Sequence, residues 1–273
     1  MNIIFLGTSS NAGKTLISAL FCRYLRSKMI MVSPFKALNL SSRSFVTDDG
    51  SEIGVGQALQ AWASDIRPNG RMNPVLMKAD GGKIKVIVNG ARENIDTSDR
   101  GSLLSRALWS FDELSDMFEA VVAEGSGSPA EINLRDHDVA NMNFASSRNI
   151  PAILVGDIEK GGVFAGIYGT WLLTEEKNRH LMKGFIINKY YGDKEILKSG
   201  IGRIEELTGM RCLGVIPYID VSLPEEDTFG SAKEGYSDIE IDAFIASLDS
   251  IIENITEHID MEALVRIASG SSA

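Results

Sequence analysis

A glycine-bounded loop near the start of the chain constrains the fold more than any other feature of the sequence. The loop occupies residues 7–15 and reads GTSSNAGKT. It follows the apolar run IIFL at residues 3–6 and leads into a stretch with helical periodicity that starts at Lys14. A strand, a glycine loop ending in Gly-Lys-Thr and a helix are the three parts of a phosphate-binding loop. The sequence therefore predicts a P-loop, and the alternative is a plain glycine turn between a strand and a helix.

The residues of this loop suit the binding of a nucleotide phosphate. Backbone amides of the loop and the positive N-terminus of the following helix can cradle phosphate oxygens. Lys14 would neutralise phosphate charge, and the Thr15 hydroxyl would reach Mg²⁺. The predicted cofactor-binding residues of the loop are Asn11, Ala12, Gly13, Lys14 and Thr15.

The composition is that of an ordinary globular protein and excludes several classes. The 273 residues are 44% hydrophobic and 23% charged, which is enough for one large α/β domain. The net charge is −10 and no long basic tract occurs, so we expect no nucleic-acid partner. Two cysteines are too few for a disulfide framework. With no apolar run near the ~20 residues that cross a membrane and no apparent signal peptide, we expect a cytoplasmic protein with no membrane partner.

Short apolar runs alternate with helical patterns along most of the chain. The predicted strands lie at residues 3–6, 29–32, 85–88, 120–123, 152–155, 184–187 and 213–216, and predicted helices at 14–28, 52–63 and 102–117. Strands that are apolar throughout and separated by helices indicate a parallel sheet covered on both faces. The predicted fold class is therefore α/β, with a P-loop NTPase-type, mostly parallel sheet and helices on both faces.

The end of the chain has a different character. Residues 224–238 are rich in Gly, Ser and acidic residues and are typical of a surface loop, and helical patterns follow at 242–255 and 261–269. We therefore divide the chain into a P-loop domain at residues 1–225 and a helical C-terminal tail at residues 226–273. Because no clear linker separates them, we expect the tail to pack on the same domain.

Polar residues follow the predicted strands at the edge where parallel sheets bind ligands. Lys36, Glu124, Asp157, Asn188 and the Pro217-Tyr218 pair all lie at such strand ends. Each residue alone is equally consistent with an ordinary surface loop, since loops are usually polar. Together with the P-loop, they favour a ligand site at the carboxyl edge of the sheet.

Two groups of carboxylates are candidates for a metal site, because phosphoryl transfer uses a metal that bridges phosphate oxygens. Glu124 directly follows an apolar strand, which is the position of a nucleotide-binding acid. The acidic cluster DDGSE begins at Asp48, in a loop before a predicted helix. Helix capping by Asp49 or Ser51 is the alternative there. The pattern favours a metal role for Glu52 and leaves both interpretations open for Asp48 and Asp49.

Longer motifs then point to a family. They are VTDDGSEIG at residues 46–54, MNPVLMK at 72–78, EGSGSPAEINL at 124–134, DVANM at 138–142, DIEKGGVF at 157–164 and INK at 187–189. Together with the P-loop they resemble the N-terminal synthetase domain of cobyric acid synthases, which is itself similar to dethiobiotin synthetase. That family's loop also has five residues between its glycines, as this chain has between Gly7 and Gly13. The resemblance covers about residues 1–225 and implies a dethiobiotin synthetase-like fold.

The resemblance implies an ATP- and Mg²⁺-dependent carbon–nitrogen ligase that forms amides. In the family, a side-chain carboxylate of a corrinoid polycarboxylate of the cobyrinic acid a,c-diamide type is phosphorylated, and ammonia attacks the acyl phosphate. The pathway implied is cobalamin biosynthesis. Elementary chemistry agrees, because a carboxylate is a poor electrophile and phosphorylation gives it a leaving group. Catalysis then rests on positioning and charge neutralisation.

The resemblance also implies roles for single residues. Lys14, Lys36, Asp48 and Asp49 are the implied catalytic residues, with Lys36 stabilising the transferring phosphoryl group and the two aspartates facing the substrate. Thr15, Glu52 and Glu124 are the implied metal ligands. Asn188 would meet the adenine, and Pro217 belongs to the same cofactor-binding set. The implied substrate residues are Asn39, Ser128, Glu131, Asn133, Asp157, Gly161 and Gly162.

The sequence departs from the family in three places. KALN at residues 36–39 replaces the family's Lys-Pro-Gln-Asn, and residues 90–100 lack a tyrosine-rich stretch; both changes could alter the substrate. Family members continue into a glutamine amidotransferase domain, whereas this sequence ends about where that domain would begin. We therefore expect a synthetase domain without its own glutaminase, which takes ammonia from solution or from a separate glutaminase subunit.

Two other functions stay open on the sequence. A dethiobiotin synthetase-like ATP-dependent carboxylase/cyclase keeps the fold, but the motifs at residues 128–133 and 157–164 argue against it. A nucleotide-binding regulatory P-loop protein usually has an additional lysine early in the loop, where this chain has Thr8, Ser9 and Ser10. The sequence does not fix the oligomeric state: the helical tail could pair with a partner, and a homodimer is one option.

Overall fold

Strands and helices alternate along the chain from its first residues. The computed structural model describes residues 1–41, 44–80, 83–93, 99–159, 161–219 and 238–270. The strands are β1 (Asn2–Gly7), β2 (Val32–Phe35), β3 (Leu38–Ser41), β4 (Ser44–Val46), β5 (Glu52–Gly54), β6 (Val75–Asp80), β7 (Lys83–Val88), β8 (Ala91–Arg92), β9 (Ala120–Glu124), β10 (Ala152–Asp157), β11 (Met182–Tyr190) and β12 (Arg211–Pro217). The helices are α1 (Lys14–Ser27), α2 (Val55–Ala63), α3 (Arg100–Met117), α4 (Met142–Ser147), α5 (Val163–Leu173), α6 (Lys198–Thr208), α7 (Asp238–Ile255) and α8 (Met261–Ala268).

A parallel sheet forms the centre of the molecule. Among the described residues, six strands join in the order β12-β11-β10-β1-β9-β2, and every neighbouring pair is parallel. The strand that leads into the P-loop, β1, lies between β10 and β9, with Gly7 opposite Val155 and Phe5 opposite Glu124. The prediction of a mostly parallel P-loop NTPase-type sheet is confirmed.

Helices cover both faces of this sheet. Successive residues of a strand point to opposite faces, and β1 is apolar on both. Ile3 and Phe5 belong to a buried cluster with α1, α7 and α8. Ile4 and Leu6 belong to a second buried cluster with α3, α4, α5 and α6. A strand buried on both faces explains why its sequence is continuously apolar instead of alternating.

A second, smaller sheet lies beside the first, and the sequence predicted only one of its strands. Among the described residues it has the order β3-β6-β7-β8, with β3 parallel to β6 and the other pairs antiparallel. The strands β4 and β5 form a separate antiparallel hairpin. Strands of two to four residues, as in β3, β4, β5 and β8, are too short to show periodicity.

The predicted helix at residues 52–63 is wrong at its beginning. Residues 52–54 form β5, and α2 begins only at Val55. Gly54 is extended, with φ −63° and ψ 141°. Its amide donates to Asn73 Oδ1 at 3.0 Å, so a tertiary contact sets the end of the strand.

The predicted strand at residues 29–32 begins too early. The chain first closes the end of α1, where Met29 has φ 65° and its amide donates to the Arg26 carbonyl at 2.9 Å. The Ile30 amide donates to the Leu25 carbonyl at 3.1 Å. The strand β2 can therefore start only at Val32.

The described tail residues pack against the central sheet. Leu264 and Ile267 of α8 are buried in the cluster that contains Ile3 and Phe5. An isolated bridge also pairs Ile259 with Gly214 of β12. The surface loop predicted at residues 224–238 lies outside the described residues except for its last one, and the boundary at residues 225/226 stays a prediction. Within the described ranges, every helix is too short or too polar to cross a lipid bilayer.

Candidate functional site

A cavity of about 900 Å³ lies at the carboxyl edge of the central sheet. Its size is within the usual range for small-molecule sites. The predicted site residues that line it are Asn11, Gly13, Lys14, Thr15, Lys36, Asn39, Glu124, Ser128, Glu131 and Asn188. Residues from four separate stretches of the sequence, at 11–15, 36–39, 124–131 and 188, thus surround one space.

The P-loop needs its second glycine. Gly13 has φ 97°, in the left-handed region, at the start of α1. A Cβ at this position would lie 2.0 Å from Asn188 Nδ2. That amide donates to the Ala12 carbonyl at 2.9 Å, so a hydrogen bond from the end of β11 holds the loop in place. Since Gly13 offers no side chain to cap α1, the first amides of the helix suit a phosphate.

Lys14 folds back over the loop. The side chain is buried, and its Nζ donates to the Ser9 carbonyl at 3.2 Å and to the Gly127 carbonyl at 3.3 Å. A Cβ on Gly7 would lie 2.7 Å from this Nζ, so the first glycine makes room for the ammonium group. The positive charge therefore lies between the P-loop and the segment that follows β9.

Glu124 is the centre of a buried polar cluster. The residue is 1% exposed. Its Oε1 accepts hydrogen bonds from Thr15 Oγ1 at 2.9 Å and Lys36 Nζ at 3.1 Å, and its Oε2 accepts one from Gln60 Nε2 at 2.7 Å. Burial opposes ionisation of this carboxyl, but Lys36 and Lys14, together with the hydrogen bonds, hold its pKa below the usual range. Glu124 is therefore a carboxylate.

Lys36 is held in place by the backbone and by the residue before it. Its amide donates to the Met72 carbonyl at 2.8 Å. Phe35 packs against Phe111 and Phe144, with ring centroids 5.3 Å and 5.2 Å away. This aromatic cluster fixes the end of β2, so the buried ammonium group of Lys36 reaches Glu124 from a rigid position.

The residues around Thr15 fit a magnesium ion that is shared with a nucleotide. They do not provide enough ligands for a metal that the protein alone would hold. Mg²⁺ is commonly bound through one or two carboxylates together with phosphate oxygens and water. The Thr15 hydroxyl and the Glu124 carboxylate are hard oxygen ligands 2.9 Å apart. Across the described part of the chain, His, Cys, Asp and Glu form no group of three that could hold a metal. The remaining ligands of Mg²⁺ would therefore come from a nucleotide and water.

The segment after β9 is held by its own side chains. Asn141 accepts from the Ser126 amide at 3.1 Å and donates to the Ser126 carbonyl at 2.8 Å. Glu131 Oε1 accepts from the Ser128 amide at 3.1 Å. These bonds shape the wall that Ser128 and Glu131 form, whereas Asn133 of the same motif does not line the cavity.

The acidic cluster that begins at Asp48 does not line the cavity. Glu52 accepts from Lys78 Nζ and from Ser44 Oγ, each at 2.5 Å. Burial opposes ionisation of Glu52, but these two hydrogen bonds and the charge of Lys78 hold its pKa below the usual range. The structure therefore brings Thr15 and Glu124 together, and it gives Glu52 different partners.

The two aspartates of that cluster lie at the tip of the β4–β5 hairpin. Asp48 is exposed and its carboxylate lies 3.7 Å from Arg67 Nη1. Asp49 accepts from Thr47 Oγ1 and from the Ser51 amide, so it closes its own turn. The hydrogen bonds from Thr47 and Ser51 lower its pKa.

The other predicted residues also lie outside the cavity lining. Asp157 accepts from Lys189 Nζ at 2.7 Å and from the Glu159 amide at 2.8 Å. Lys189 and Glu159 themselves line the cavity, which the sequence did not predict. The remaining predicted residues that do not line it are Ala12, Gly161, Gly162 and Pro217.

Sequence reasoning missed the two glutamines of α2. Gln57 and Gln60 are completely buried, and Gln57 Oε1 accepts from Asn39 Nδ2 at 3.4 Å. A signal was present, because two polar residues three positions apart lie in the otherwise apolar helix VGQALQAWA. Buried amides of this kind need polar partners, and here those partners belong to the cavity wall.

Two solved structures of nucleotide-binding proteins resemble the chain weakly. A ParA family ATPase from Chlorobium tepidum superposes with a TM-score of 0.46 at 11% identity, covering 98% of each chain. The septum site-determining protein MinD from Pyrococcus horikoshii, solved with Mg-ADP, gives a TM-score of 0.42 at 15% identity and covers 80% of this chain and 82% of that one.

Curated relatives are much closer in sequence. A probable cobyric acid synthase of Methanoculleus marisnigri is 44% identical over 240 residues, which cover 86% of this chain and 49% of the relative. Cobyric acid synthase of Clostridium botulinum is 44% identical over 264 residues, covering 94% and 52%. That of Thermoanaerobacter sp. is 41% identical over 274 residues, covering 98% and 53%. The chain thus spans about half the length of these relatives.

A family model covers most of the chain. The model, described as CbiA, the CobQ/CobB/MinD/ParA nucleotide binding domain, matches residues 3–229. This range includes the P-loop, the end of β9 and the whole central sheet except Asn2 at the start of β1. The chain therefore belongs to the CobQ/CobB/MinD/ParA family of nucleotide-binding domains.

Proposed function

We propose that the chain is an ATP- and Mg²⁺-dependent amide-forming synthetase domain of the cobyric acid synthase type. It would activate side-chain carboxylates of a corrinoid, similar to cobyrinic acid a,c-diamide, for attack by ammonia in cobalamin biosynthesis. The observation that carries this proposal is the ionised, buried Glu124 between Thr15 Oγ1 and Lys36 Nζ, in a cavity that also holds Lys14. The 40–44% identity to cobyric acid synthases supports the corrinoid substrate.

The end of the cavity that is lined by Lys14, Thr15 and Asn188 would bind ATP. Lys14 and the amides at the start of α1 would hold its phosphates, and Asn188 would lie near the adenine. Thr15 and Glu124 would hold Mg²⁺, and Glu52 would join them only after leaving Lys78 and Ser44. Bound Mg-ATP supplies a phosphoryl group that turns a carboxylate into an acyl phosphate, and the metal neutralises phosphate charge.

Lys36 would act on the transferring group. Its ammonium is buried and its position is fixed by Glu124 and by the end of β2. A charge that is already in place where negative charge develops stabilises the transition state without reorganisation. This is the role we assign to Lys36 in phosphoryl transfer.

The other half of the cavity would receive the corrinoid. Asn39, Ser128 and Glu131 line it and would face substrate side chains. Ammonia would come from solution or from a separate glutaminase subunit. We place the reaction in the cytoplasm and in the domain at residues 1–225, and a homodimer stays part of the proposal.

Product analysis tests the proposal directly. The purified chain should release phosphate from ATP only when a corrinoid polycarboxylate and ammonia are both present. Mass spectrometry should show that a carboxylate has become an amide. Lys14→Ala should abolish both signals. ATP turnover that ignores the corrinoid and ammonia would refute the proposal.

A further inference from the structure

We propose that Gln60 is a positioning residue that fixes the Glu124 carboxylate and the Thr15 backbone for metal binding. The inference rests on the proposed function, because it assigns Thr15 and Glu124 to a Mg-nucleotide. Gln60 lies on α2, belongs to no predicted site and does not line the cavity. It would act on the bound nucleotide only through the two residues that it touches.

One amide group joins both proposed ligands. Gln60 Nε2 donates to Glu124 Oε2 at 2.7 Å and to the Thr15 carbonyl at 3.3 Å. The residue is 0% exposed, so water does not compete for these bonds. This buried side chain is therefore a second link between the end of β9 and the start of α1, beside the hydrogen bond from Thr15 Oγ1 to Glu124 Oε1.

The orientation of the amide is determined by its surroundings. Both partners of Nε2 are acceptor oxygens, and a flipped amide would place its carbonyl against a carboxylate. In the observed orientation Gln60 Oε1 is buried and has no hydrogen-bond partner among the described residues. Buried side-chain oxygens usually have a partner. Because Oε1 makes no hydrogen bond among the described residues, the bonds from Nε2 to Glu124 and Thr15 determine the orientation of the amide.

The two oxygens of Glu124 have different surroundings as a result. Oε1 faces the Thr15 hydroxyl and Lys36, whereas Oε2 is held by the neutral amide of Gln60. A carboxylate held at one oxygen cannot rotate away from the other contacts. Partners that orient a metal ligand in this way contribute about 10- to 100-fold to metal affinity or activity.

Nucleotide affinity with and without metal tests this role. Calorimetry with ADP would compare the dissociation constant in Mg²⁺ with that in EDTA. We expect Gln60→Met to reduce the strengthening by Mg²⁺ about 10- to 100-fold and to leave the affinity in EDTA unchanged. The matched control is Gln57→Met, an equally buried glutamine of the same helix, which should keep the wild-type ratio.

A double-mutant cycle separates positioning from general damage. If Gln60 acts through Glu124, Gln60→Met should cause no further loss of Mg²⁺ dependence in a Glu124→Gln background. Losses that add in full would overturn the inference. Thermal unfolding checks that the variants are folded, and Gln60→Asn, whose shorter amide cannot span both partners, should show the same loss if Gln60→Met does not fold.

The outcomes distinguish this inference from the proposed function. If wild-type protein binds ADP with the same affinity in Mg²⁺ and in EDTA, the proposed function is contradicted. Wild-type protein that responds to Mg²⁺, with Gln60→Met responding equally, would overturn the role of Gln60 alone.

Discussion

Glu124 and Glu52 have similar hydrogen-bond partners and very different positions. Each carboxylate accepts hydrogen bonds from one lysine and one hydroxyl group, and each has a lowered pKa. Glu124 ends a central strand whose neighbour leads into the P-loop. Glu52 lies on the β4–β5 hairpin, and its partners Ser44 and Lys78 come from β4 and β6. A lysine–glutamate pair alone therefore does not identify a site, whereas its position at the carboxyl edge of the central sheet does.

The lysines provide the sharpest test of this comparison. Lys36→Met removes a buried charge at the cavity, and we expect kcat to fall about 10²- to 10³-fold, as for other groups that stabilise developing charge. Lys78→Met removes the corresponding charge beside Glu52 and should change kcat little. Steady-state phosphate release measures both, with thermal unfolding to exclude loss of structure. Equal losses of kcat in the two variants would contradict the assignment of Lys36, and not Lys78, to the reaction site.

Substitutions of the two glutamates are expected to have the second-largest effect. Glu124→Gln keeps the shape of the side chain and removes its charge. The factor by which Mg²⁺ strengthens nucleotide binding should therefore fall by at least the ~10- to 100-fold that a partner of a metal ligand contributes. Glu52→Gln should have a smaller effect, because Glu52 is bonded to Lys78 and Ser44. A larger loss for Glu52→Gln than for Glu124→Gln would indicate that Glu52 leaves Lys78 and Ser44 and contacts the metal when the Mg-nucleotide binds.

A third prediction concerns stability and pH. The folded-state pKa of Glu52 is lowered, so its ion pair stabilises the fold above the unfolded pKa of about 4.3 and loses this contribution as the pH falls through the folded-state value. The difference in melting temperature between the wild type and Glu52→Gln should therefore be largest near neutral pH and vanish in acid. A difference that does not change with pH would contradict the ion pair with Lys78.

The smallest effect is expected at the hairpin tip. Asp48 is exposed and its contact with Arg67 is long, so Asp48→Asn should change the free energy of unfolding by less than about 0.5 kcal/mol. Urea unfolding measures this, and phosphate release measures any catalytic role. A clear loss of turnover without a loss of stability would support the role in catalysis that the resemblance implies for Asp48.

The sequence was most informative where local pattern and tertiary position coincide. The P-loop and the end of β9 follow strands that are apolar throughout, so Lys14, Thr15 and Glu124 could be assigned to one edge. Glu52 could not be placed in this way, because the extended conformation of Gly54 depends on a hydrogen bond from its amide to Asn73.

Residues buried behind the cavity could not be predicted from the sequence either. Gln60 occupies a helical position that looks like ordinary core, and only the folded chain shows that its amide reaches Glu124. Lys189 likewise reaches Asp157 from the next strand of the sheet. Contacts between distant segments depend on strand order, and a single sequence does not provide that order.

The position of Lys14 has a consequence for the two ends of the cavity. Its ammonium group has three N–H donors, and it donates to carbonyls in both the P-loop and the segment that carries Ser128 and Glu131. A phosphate bound at the P-loop would accept from the same ammonium group as the Gly127 carbonyl. One side chain therefore links the phosphate-binding end of the cavity to the wall that Ser128 and Glu131 form.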